Sequence, residues 1–300
     1  MLDKLKFLIA LANEKHFGRA AERCGVAQPT LSQGIQQLEE ELNLQLVKRS
    51  SRYLGLTPDG EHVLTWARRL VGDANAMRQD LMSRKAGAVC HLRVAVMPAA
   101  MALVTAITAP FMVRYPNVRF TLLTRTSDEI AMLLDQREID CGITYIGHQA
   151  RSEYDQVPLF CEEYVLLRTD RGPFGKRQEI AWRDLAGLPL CLLTPNLQQR
   201  RIIDELLQNA GVTADPVLET DSVPALLAHV STGNWLTVVS SLTFHAIGAG
   251  SGLRCIPIKS PHVSHEIGLV AARRYPGHAL LDALFEDARA RRHSRLAVSQ

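Results

Sequence analysis

The stretch that most constrains this chain is residues 17–41, FGRAAERCGVAQPTLSQGIQQLEEE, which predicts two short helices joined by a tight turn. Gly25 breaks the first helix, and Pro29 stands in the first turn of the second, where a missing N–H costs little. The apolar side chains of the second helix recur at helical spacing and form one stripe, namely Leu31, Ile35, Leu38 and Leu42. The opposite face carries short or amide side chains, namely Thr30, Ser32, Gln33, Gln36 and Gln37.

A helix, a tight turn and a second helix with a polar outer face is the geometry that reads base edges in the major groove of DNA. Glutamine can pair with adenine through both amide atoms, and serine or threonine can meet either type of base. The same pattern is also typical of two ordinary amphipathic helices in a helical domain. The residues that follow favour DNA reading.

Two short strands over residues 46–49 and 53–56 would form a small wing after the second helix. Its basic side chains suit phosphate contacts, which position a protein on DNA without specifying sequence. Residues 1–57 therefore predict a winged helix-turn-helix DNA-binding domain, all-α with a small β wing. The predicted DNA contacts are Gln28, Pro29, Thr30, Ser32, Gln33 and Gln36 on the helix, and Lys48, Arg49 and Arg52 on the wing.

With the wing in place, the sequence resembles the LysR-type transcriptional regulators. The matching residues include Ala20-Ala21, the run Gln28-Pro29-Thr30-Leu31-Ser32, and the run Leu56-Thr57-Pro58-Asp59-Gly60, all at the family's spacing. The resemblance extends more loosely over the whole chain. It implies a cytoplasmic bacterial regulator that binds double-stranded promoter DNA and a small-molecule effector. It also implies self-association as a homodimer or homotetramer, with RNA polymerase as a further candidate partner.

Two departures from the family lie in the second helix. Ala27 stands where relatives commonly have a capping Ser or Thr, and Gly34 interrupts the helix; each is expected to cost about 1 kcal/mol. Gln33, Gly34, Gln36 and Gln37 occupy positions where relatives often carry basic groups. The sequence therefore predicts base contacts through amides, with phosphate attraction left mainly to the wing.

Residues 58–88 predict a long linker helix that begins at Thr57-Pro58-Asp59-Gly60. A narrow apolar seam runs along it at alternating spacings of three and four, as in a coiled coil. The seam residues are Ala67, Leu70, Ala74, Met77 and Leu81. Because a helix with so narrow a seam needs a partner, we predict dimerisation through it. The alternative is that the seam packs on its own chain.

From residue 89 the pattern changes to short apolar strands alternating with helices, which predicts an α/β architecture. The predicted strands span residues 92–97, 119–123, 141–145, 164–168, 190–193, 236–239 and 266–271, and the predicted helices span residues 100–114, 128–136, 197–210, 222–231 and 279–290. The resemblance implies a two-lobed, periplasmic-binding-protein-like effector domain over residues 89–300. Lobe I would hold residues 89–162 and 267–300, and lobe II residues 163–266. The chain would cross between the lobes near residues 160–164 and 264–268.

Ligands of open α/β sheets bind beyond the carboxyl ends of strands, where helix N-termini point free N–H groups. Three strand-to-helix junctions, at residues 97–100, 126–129 and 194–196, suit such a site, although the same residues could serve only as helix caps. The predicted effector contacts are Pro98, Ala99, Ala100, Thr126, Ser127, Tyr145, Thr194 and Asn196. Many relatives hold an acidic effector with Ser or Thr where this chain has Ala99-Ala100. The sequence thus predicts a small anion held by backbone N–H groups.

The rest of the composition argues against other classes of protein. The six cysteines lie at least 20 residues apart, which predicts neither a zinc site nor a local redox pair, although a long-range pair stays open. Catalytic motifs of common enzymes do not occur, so we predict no enzyme, no cofactor and no metal. The uncharged residues 94–113 are interpreted as a buried strand and helix rather than a membrane span. The rival hypothesis is a cytosolic small-molecule-binding protein or enzyme on a two-lobed α/β fold.

Overall fold

The computed structural model describes residues 1–48, 53–83, 89–147, 153–170, 172–175, 177–248, 252–260, 263–273 and 278–293. The chain divides into two compact units, and residues 1–88 belong to the first. The helices of this N-terminal unit are α1 (Leu2–Glu14), α2 (Phe17–Cys24), α3 (Gln28–Leu42) and α4 (Pro58–Ser83). Their apolar stripes meet in one core, which includes Leu8, Leu11, Ala20, Leu31 and Leu38.

The turn between α2 and α3 has the predicted features. Gly25 ends α2 in the left-handed region, with φ of 68°, a conformation that glycine adopts without a Cβ penalty. Ala27 precedes α3 without a side-chain cap, and a proline occupies the first turn. The helix-turn-helix is therefore confirmed, including its uncapped start.

Gly34 corrects one expectation about α3. It lies on the buried side of the helix, not among the outer positions, because the Phe7 ring of α1 packs against it. A Cβ atom on Gly34 would stand 2.6 Å from Phe7 Cδ2. The glycine permits a close approach of α1 and α3, which the sequence alone did not reveal.

The wing is smaller than two full strands in the described part of the chain. A single antiparallel bridge joins Val47 to Leu56, and the Lys48 N–H donates to the Gly55 carbonyl at 3.0 Å. The Glu39 side chain of α3 accepts from the backbone N–H groups of Leu46, at 2.9 Å, and Val47, at 3.1 Å. These bonds hold the base of the wing against α3. The predicted contacts Arg49 and Arg52 lie outside the described residues.

The start of α4 follows the predicted signal. Thr57 Oγ1 accepts from the Gly60 N–H at 2.9 Å and donates to the Gln45 carbonyl at 2.6 Å. A side chain on Gly60 would collide with the Leu46 carbonyl, so the glycine allows α4 to begin beside the wing. The helix is described to Ser83, and residues 84–88 of the predicted linker lie outside the described residues.

The second unit is an α/β domain. Its strands are β1 (Cys90–Val96), β2 (Val118–Thr124), β3 (Cys141–Tyr145), β4 (Tyr154–Glu162), β5 (Tyr164–Thr169), β6 (Ile180–Ala181), β7 (Cys191–Leu193), β8 (Leu218–Thr220), β9 (Thr237–Ser240), β10 (Leu253–Ser260) and β11 (His265–Ala272). Its helices are α5 (Thr105–Arg114), α6 (Ser127–Asp135), α7 (Gln198–Asn209), α8 (Val223–Ser231), the short α9 (Ser241–Thr243) and α10 (Ala279–His293).

Two main sheets define two lobes. The first sheet has the order β2-β1-β3-β11-β4, and the second has the order β6-β10-β5-β9, with β7 and β8 forming a separate parallel pair. Val165, Leu167, Leu226 and Val230 lie in the core of the second lobe. The final helix α10 packs on β4 and α5, so the chain returns to the first lobe.

Two links join the lobes. The first passes from Glu162, the end of β4, to Tyr164, the start of β5, as predicted. The second passes from Ser260 in β10 to His265 in β11, a few residues before the predicted position. Glu162 and His265 are direct partners in the antiparallel ladder of β4 and β11, so both links leave the first sheet at the same point.

Other expectations need correction in detail. The helix predicted over residues 100–114 is divided into a 3-10 helix, Pro98–Leu103, and α5. The strands β4, β6, β8 and β10 were not predicted. The uncharged residues 94–113 are distributed over a strand and these two helices, and no helix in the described ranges has the length and apolar character needed to cross a bilayer.

Candidate functional site

The outer face of α3 is presented to solvent as predicted. Gln28, Pro29, Thr30, Gln33 and Gln36 are exposed, and Ser32 is half-buried. The first turn of α3 contains no acidic side chain, so the positive end of the helix dipole stays open to an anion such as a phosphate.

The last turn of α3 has the opposite character. Glu40 and Glu41 are exposed there, and Glu41 pairs with Lys4 of α1. Carboxylates repel DNA phosphates, so the surface able to meet a duplex ends at about Gln37. The usable part of the helix is its N-terminal half, which is the part that recognition helices insert into the major groove.

The wing contributes a basic side chain beside this face. Lys48 is exposed and directly follows Val47, whose N–H is held by Glu39. One buried carboxylate on α3 therefore positions the strand that carries Lys48. The exposed amides of α3 and the Lys48 side chain thus belong to one frame.

The second candidate site lies between the two lobes. A narrow cavity of about 10 Å³, room for roughly one water molecule, opens beyond the ends of β1, β3 and β7. Five predicted contacts line it, namely Pro98, Ala99, Thr126, Ser127 and Tyr145. The other lining residues are Met97, Leu193, Leu197, Gln198 and Gln199.

Three predicted effector residues do not line this cavity. Ala100 is fully buried beneath it. Thr194 and Asn196 belong to the turn before α7, where the Leu197 N–H donates to the Thr194 carbonyl at 3.0 Å. The prediction that Thr194 caps α7 was wrong, because the helix begins three residues later, after Leu197.

The junction before α6 has its predicted capping box. The Thr126 N–H donates to Glu129 Oε2 at 2.7 Å, and the Glu129 N–H donates to Thr126 Oγ1 at 3.2 Å. Asp128 is also in this first turn. The start of α6 is therefore already supplied with carboxylates, whereas the first turn of α7 has none.

A buried carboxyl lies behind the floor of the cavity, where it bonds to two lining residues, Tyr145 and Gln199. Glu162 is fully buried, and its Oε2 accepts from the hydroxyls of Tyr145, at 2.6 Å, and Tyr164, at 2.8 Å. Its Oε1 accepts from Gln199 Nε2 at 3.0 Å, and the Ser240 side chain is a further hydrogen-bond partner. Donors from both lobes thus converge on a side chain that lies on the link between them.

Burial governs the electrostatics of this group. It raises the pKa of Glu162 to about 7, although the hydrogen bonds from Tyr145, Tyr164, Gln199 and Ser240 oppose the rise. Burial, followed by the neighbouring carboxyl, raises the pKa of both tyrosines, so their hydroxyls remain protonated donors.

Two further contacts close the lobes around the cavity. Arg201 of α7 pairs with Asp128 of α6 at 2.9 Å, and Thr243 Oγ1 donates to the Ala99 carbonyl at 3.2 Å. The lobes are thus joined by contacts other than those at Glu162.

None of the six cysteines is in a disulfide. Burial raises the pKa of Cys24, Cys191 and Cys255, and none of the six lines the cavity. Within the described ranges, no group of three or more His, Cys, Asp or Glu side chains could hold a metal ion.

The sequence matches two family descriptions along its length. Residues 2–61 match "Bacterial regulatory helix-turn-helix protein, lysR family", and residues 86–292 match "LysR substrate binding domain". The chain belongs to the LysR family. It is a DNA-binding transcriptional regulator of the LysR type with an effector-binding domain.

Relatives of this LysR-family chain cover nearly its whole length. The "DNA-binding transcriptional dual regulator OxyR" of Escherichia coli is 27% identical over 288 residues, covering 96% of this chain and 94% of the relative. The "Hydrogen peroxide-inducible genes activator" of Dickeya chrysanthemi is 27% identical over 267 residues, covering 89% and 87%.

Solved structures support the same fold. A full-length OxyR variant from Pseudomonas aeruginosa superposes with a TM-score of 0.75 at 24% identity, covering 96% of this chain and 94% of that chain. Full-length CbnR in complex with its target DNA superposes with a TM-score of 0.69 at 21% identity, covering 97% and 99%. The LysR architecture, a helix-turn-helix followed by a two-lobed domain, is therefore confirmed.

Proposed function

We propose that this LysR-type regulator reads operator DNA through the first half of α3 and the wing, and that a small effector between the lobes tunes this binding. The observation that carries the proposal is the pairing of an exposed amide face on α3 with a wing held to the same helix by Glu39. Phosphate contacts from Lys48 and the predicted Arg49 and Arg52 would set the position on the duplex.

The proposed domain boundaries follow the sequence prediction. Residues 1–57 are the DNA-binding domain, residues 58–88 the linker helix and residues 89–300 the effector domain. Lobe I holds residues 89–162 and 267–300, and lobe II residues 163–266. The change of sheet at Glu162 supports the first lobe boundary.

We infer a non-covalent effector rather than a thiol switch, although relatives include activators named for hydrogen peroxide. Reactive thiols have a lowered pKa, whereas burial raises the pKa of Cys191 and Cys255 in the second lobe. The first turn of α7, free of acidic groups, supports the predicted small anion near Gln198. Effector binding would change the closure of the lobes and thereby the spacing of paired DNA readers.

Self-association through α4 is part of the proposal. Four large apolar side chains on this helix are exposed, namely Trp66 at 55%, Leu70 at 47%, Met77 at 58% and Leu81 at 55%. Ala67, the first residue of the predicted seam, is instead fully buried in the core of its own unit, and Trp66 takes its place. A second copy of α4 would cover this face and give the dimer that a two-fold operator requires. Assembly into a homotetramer, contact with RNA polymerase and a cytoplasmic location complete the proposal.

The decisive experiment separates base reading from phosphate binding. Gel shifts would compare wild type, Gln33→Ala, Lys48→Ala and Arg52→Ala on the protein's own upstream DNA and on a scrambled duplex. Lys48→Ala and Arg52→Ala should weaken binding to both duplexes and reduce its salt dependence. Gln33→Ala should lower affinity only for the matched duplex, by about 1–3 kcal/mol.

An exposed amide away from α3 provides the control. Gln208→Ala lies in the last turn of α7, well separated in sequence from the helix-turn-helix, and should leave both affinities unchanged. Equal losses of affinity on the two duplexes for Gln33→Ala would refute the proposed division of labour. No contact in the described ranges favours catalysis, so we propose that the chain is not an enzyme.

A further inference from the structure

The hydrogen bonds of Glu162 also orient two residues that line the effector cavity. Both carboxyl oxygens of Glu162 accept hydrogen bonds in this structure, Oε2 from the two tyrosine hydroxyls and Oε1 from Gln199. Each of these groups therefore turns a donor toward Glu162. Two of those groups, Tyr145 and Gln199, also line the effector cavity.

Tyr145 and Gln199 therefore both direct a hydrogen-bond donor toward Glu162 rather than toward the cavity. Tyr145 gives its only hydroxyl proton to Glu162, which leaves its oxygen lone pairs for the cavity. Gln199 gives Nε2 to Glu162, so its amide orientation is fixed with Oε1 directed away from the carboxylate. Gln199 is only 4% exposed and makes no other hydrogen bond within the described part of the chain.

The Gln199 amide oxygen is not sealed from the cavity, so a ligand or water there can complete its hydrogen bonding. The Tyr145 and Gln199 oxygens together make the floor of the cavity an acceptor surface. A ligand that brought a hydrogen-bond acceptor to this floor would place its lone pairs against those of the Tyr145 and Gln199 oxygens, and no hydrogen bond could form.

We infer that Glu162 is a positioning residue that sets the hydrogen-bond polarity of the cleft floor, so that the effector presents an N–H or O–H donor to Tyr145 and Gln199. This inference rests on the proposed effector role of the cleft. Joined to the small anion proposed at α7, it describes a compact molecule with a carboxylate at one end and an ammonium or hydroxyl group at the other.

The test reverses the polarity without changing the shape of Glu162. In Glu162→Gln the new amide nitrogen is a donor, so Gln199 can rotate its oxygen toward position 162 and its nitrogen toward the cavity. Full-length protein would be titrated with sodium salts or zwitterions in matched pairs: glycine against acetate, and β-alanine against propionate. Thermal shift reports binding, because a ligand of the folded state raises the apparent Tm.

The wild type should be stabilised by the ammonium-bearing member of a pair and bind it roughly tenfold or more tightly than the member that lacks the donor, as loss of one hydrogen bond to a buried group implies. Glu162→Gln should lose or invert that preference. Glu163→Gln makes the same chemical change one residue along the link, on an exposed side chain, and should keep the wild-type preference.

Gln199→Met serves as a second variant if Glu162→Gln fails to fold. It removes the amide, retains the length of the side chain and should also abolish the preference. A residue that only held the lobes together would change the Tm of the protein alone, and it would leave the ratio of the two affinities unaltered.

Three results would overturn the inference: no stabilisation by either ammonium compound, equal stabilisation by both members of each pair, or an unchanged ratio in both variants. Gel shifts on the upstream DNA, run without the small ammonium and carboxylate compounds, distinguish failure of this inference from failure of the proposed function. If Gln33 still controls specificity there, only the inference about the cleft fails.

Discussion

Phe7 of α1 occupies the space that a side chain on Gly34 of α3 would need, with Phe7 Cδ2 2.6 Å from the position of a Cβ atom. We expect Gly34→Ala to lower the free energy of unfolding of the N-terminal unit by about 1–3 kcal/mol through overpacking. The gain in helix propensity, about 1 kcal/mol, offsets only part of this. Urea unfolding followed by circular dichroism measures the change.

A double-mutant cycle tests the cause of this loss. Phe7→Leu shortens the opposing ring, so the pair Phe7→Leu with Gly34→Ala should show a favourable coupling free energy. A Gly34→Ala variant that is as stable as the wild type would show that the ring moves aside freely.

Glu39 connects the stability of the wing to DNA binding. Glu39→Ala leaves the N–H groups of Leu46 and Val47 without their acceptor, and we expect a loss of about 2–4 kcal/mol in unfolding free energy. Affinity should fall on matched and scrambled DNA alike, because Lys48 loses its position. Glu39→Gln retains an acceptor oxygen and should lose much less. If Glu39→Ala and Glu39→Gln gave the same result in calorimetry and gel shifts, the side-chain oxygen at position 39 would not be the group that holds the wing.

The pH dependence of stability should carry the signature of Glu162. Its folded pKa, about 7, lies above the ordinary value of 4.5, so the folded state holds the proton more tightly than the unfolded state. Stability from this group is complete below pH 4.5 and is lost as pH rises through 7, by about 3 kcal/mol in all. Thermal unfolding between pH 5 and pH 8 should show the second unit weakening at the higher pH.

The contribution of Glu162 to the pH dependence must be distinguished from those of the groups around it. Tyr145, Tyr164, Gln199 and Ser240 remain neutral over that range, and His265 packs against both tyrosine rings. Because His265 is present in the wild type and in Glu162→Gln, the difference between their profiles isolates the carboxyl. The variant should have the flatter profile, and superimposable profiles would contradict the raised pKa.

The exposed face of α4 predicts a change in oligomeric state. Replacing Leu70 and Met77 together by Asp should shift the protein toward monomer in sedimentation velocity, since two charges would be buried at the proposed interface. Val113→Asp places a charge on an apolar side chain of α5 that is 84% exposed, and it serves as the control. A double variant that sediments as the wild type does would remove α4 from the interface.

The elements predicted from the sequence are those whose pattern depends only on residues a few positions apart. The helix-turn-helix, the strand Cys141–Tyr145 and the capping box at Thr126 all follow from spacing over a few residues. The strands β4 and β10 were missed because each contains a proline, which lacks the N–H that a ladder uses. Pro158 is tolerated because β4 is an edge strand, and Pro257 stands beside an irregularity of register.

The floor of the cleft could not be predicted for a different reason. Glu162 meets Tyr145 from 17 residues away and Gln199 from 37 residues away, and no local pattern announces such a meeting. A glutamate in isolation predicts an exposed side chain. Donors from separate strands and a helix converge on Glu162 and allow it to be buried. Its burial therefore depends on long-range topology, which residue spacing in the sequence does not reveal.

The paired links at Glu162 and His265 have a mechanical consequence. Because both chain crossings leave the first sheet at this one pair of strand ends, a rotation of one lobe against the other would have its hinge there. Glu162 lies at that hinge, whereas the ion pair of Arg201 and Asp128 joins α7 to α6 away from it. Under the proposed effector role, a molecule of a few heavy atoms beside Glu162 would need to change the angle between the lobes only slightly to separate that ion pair.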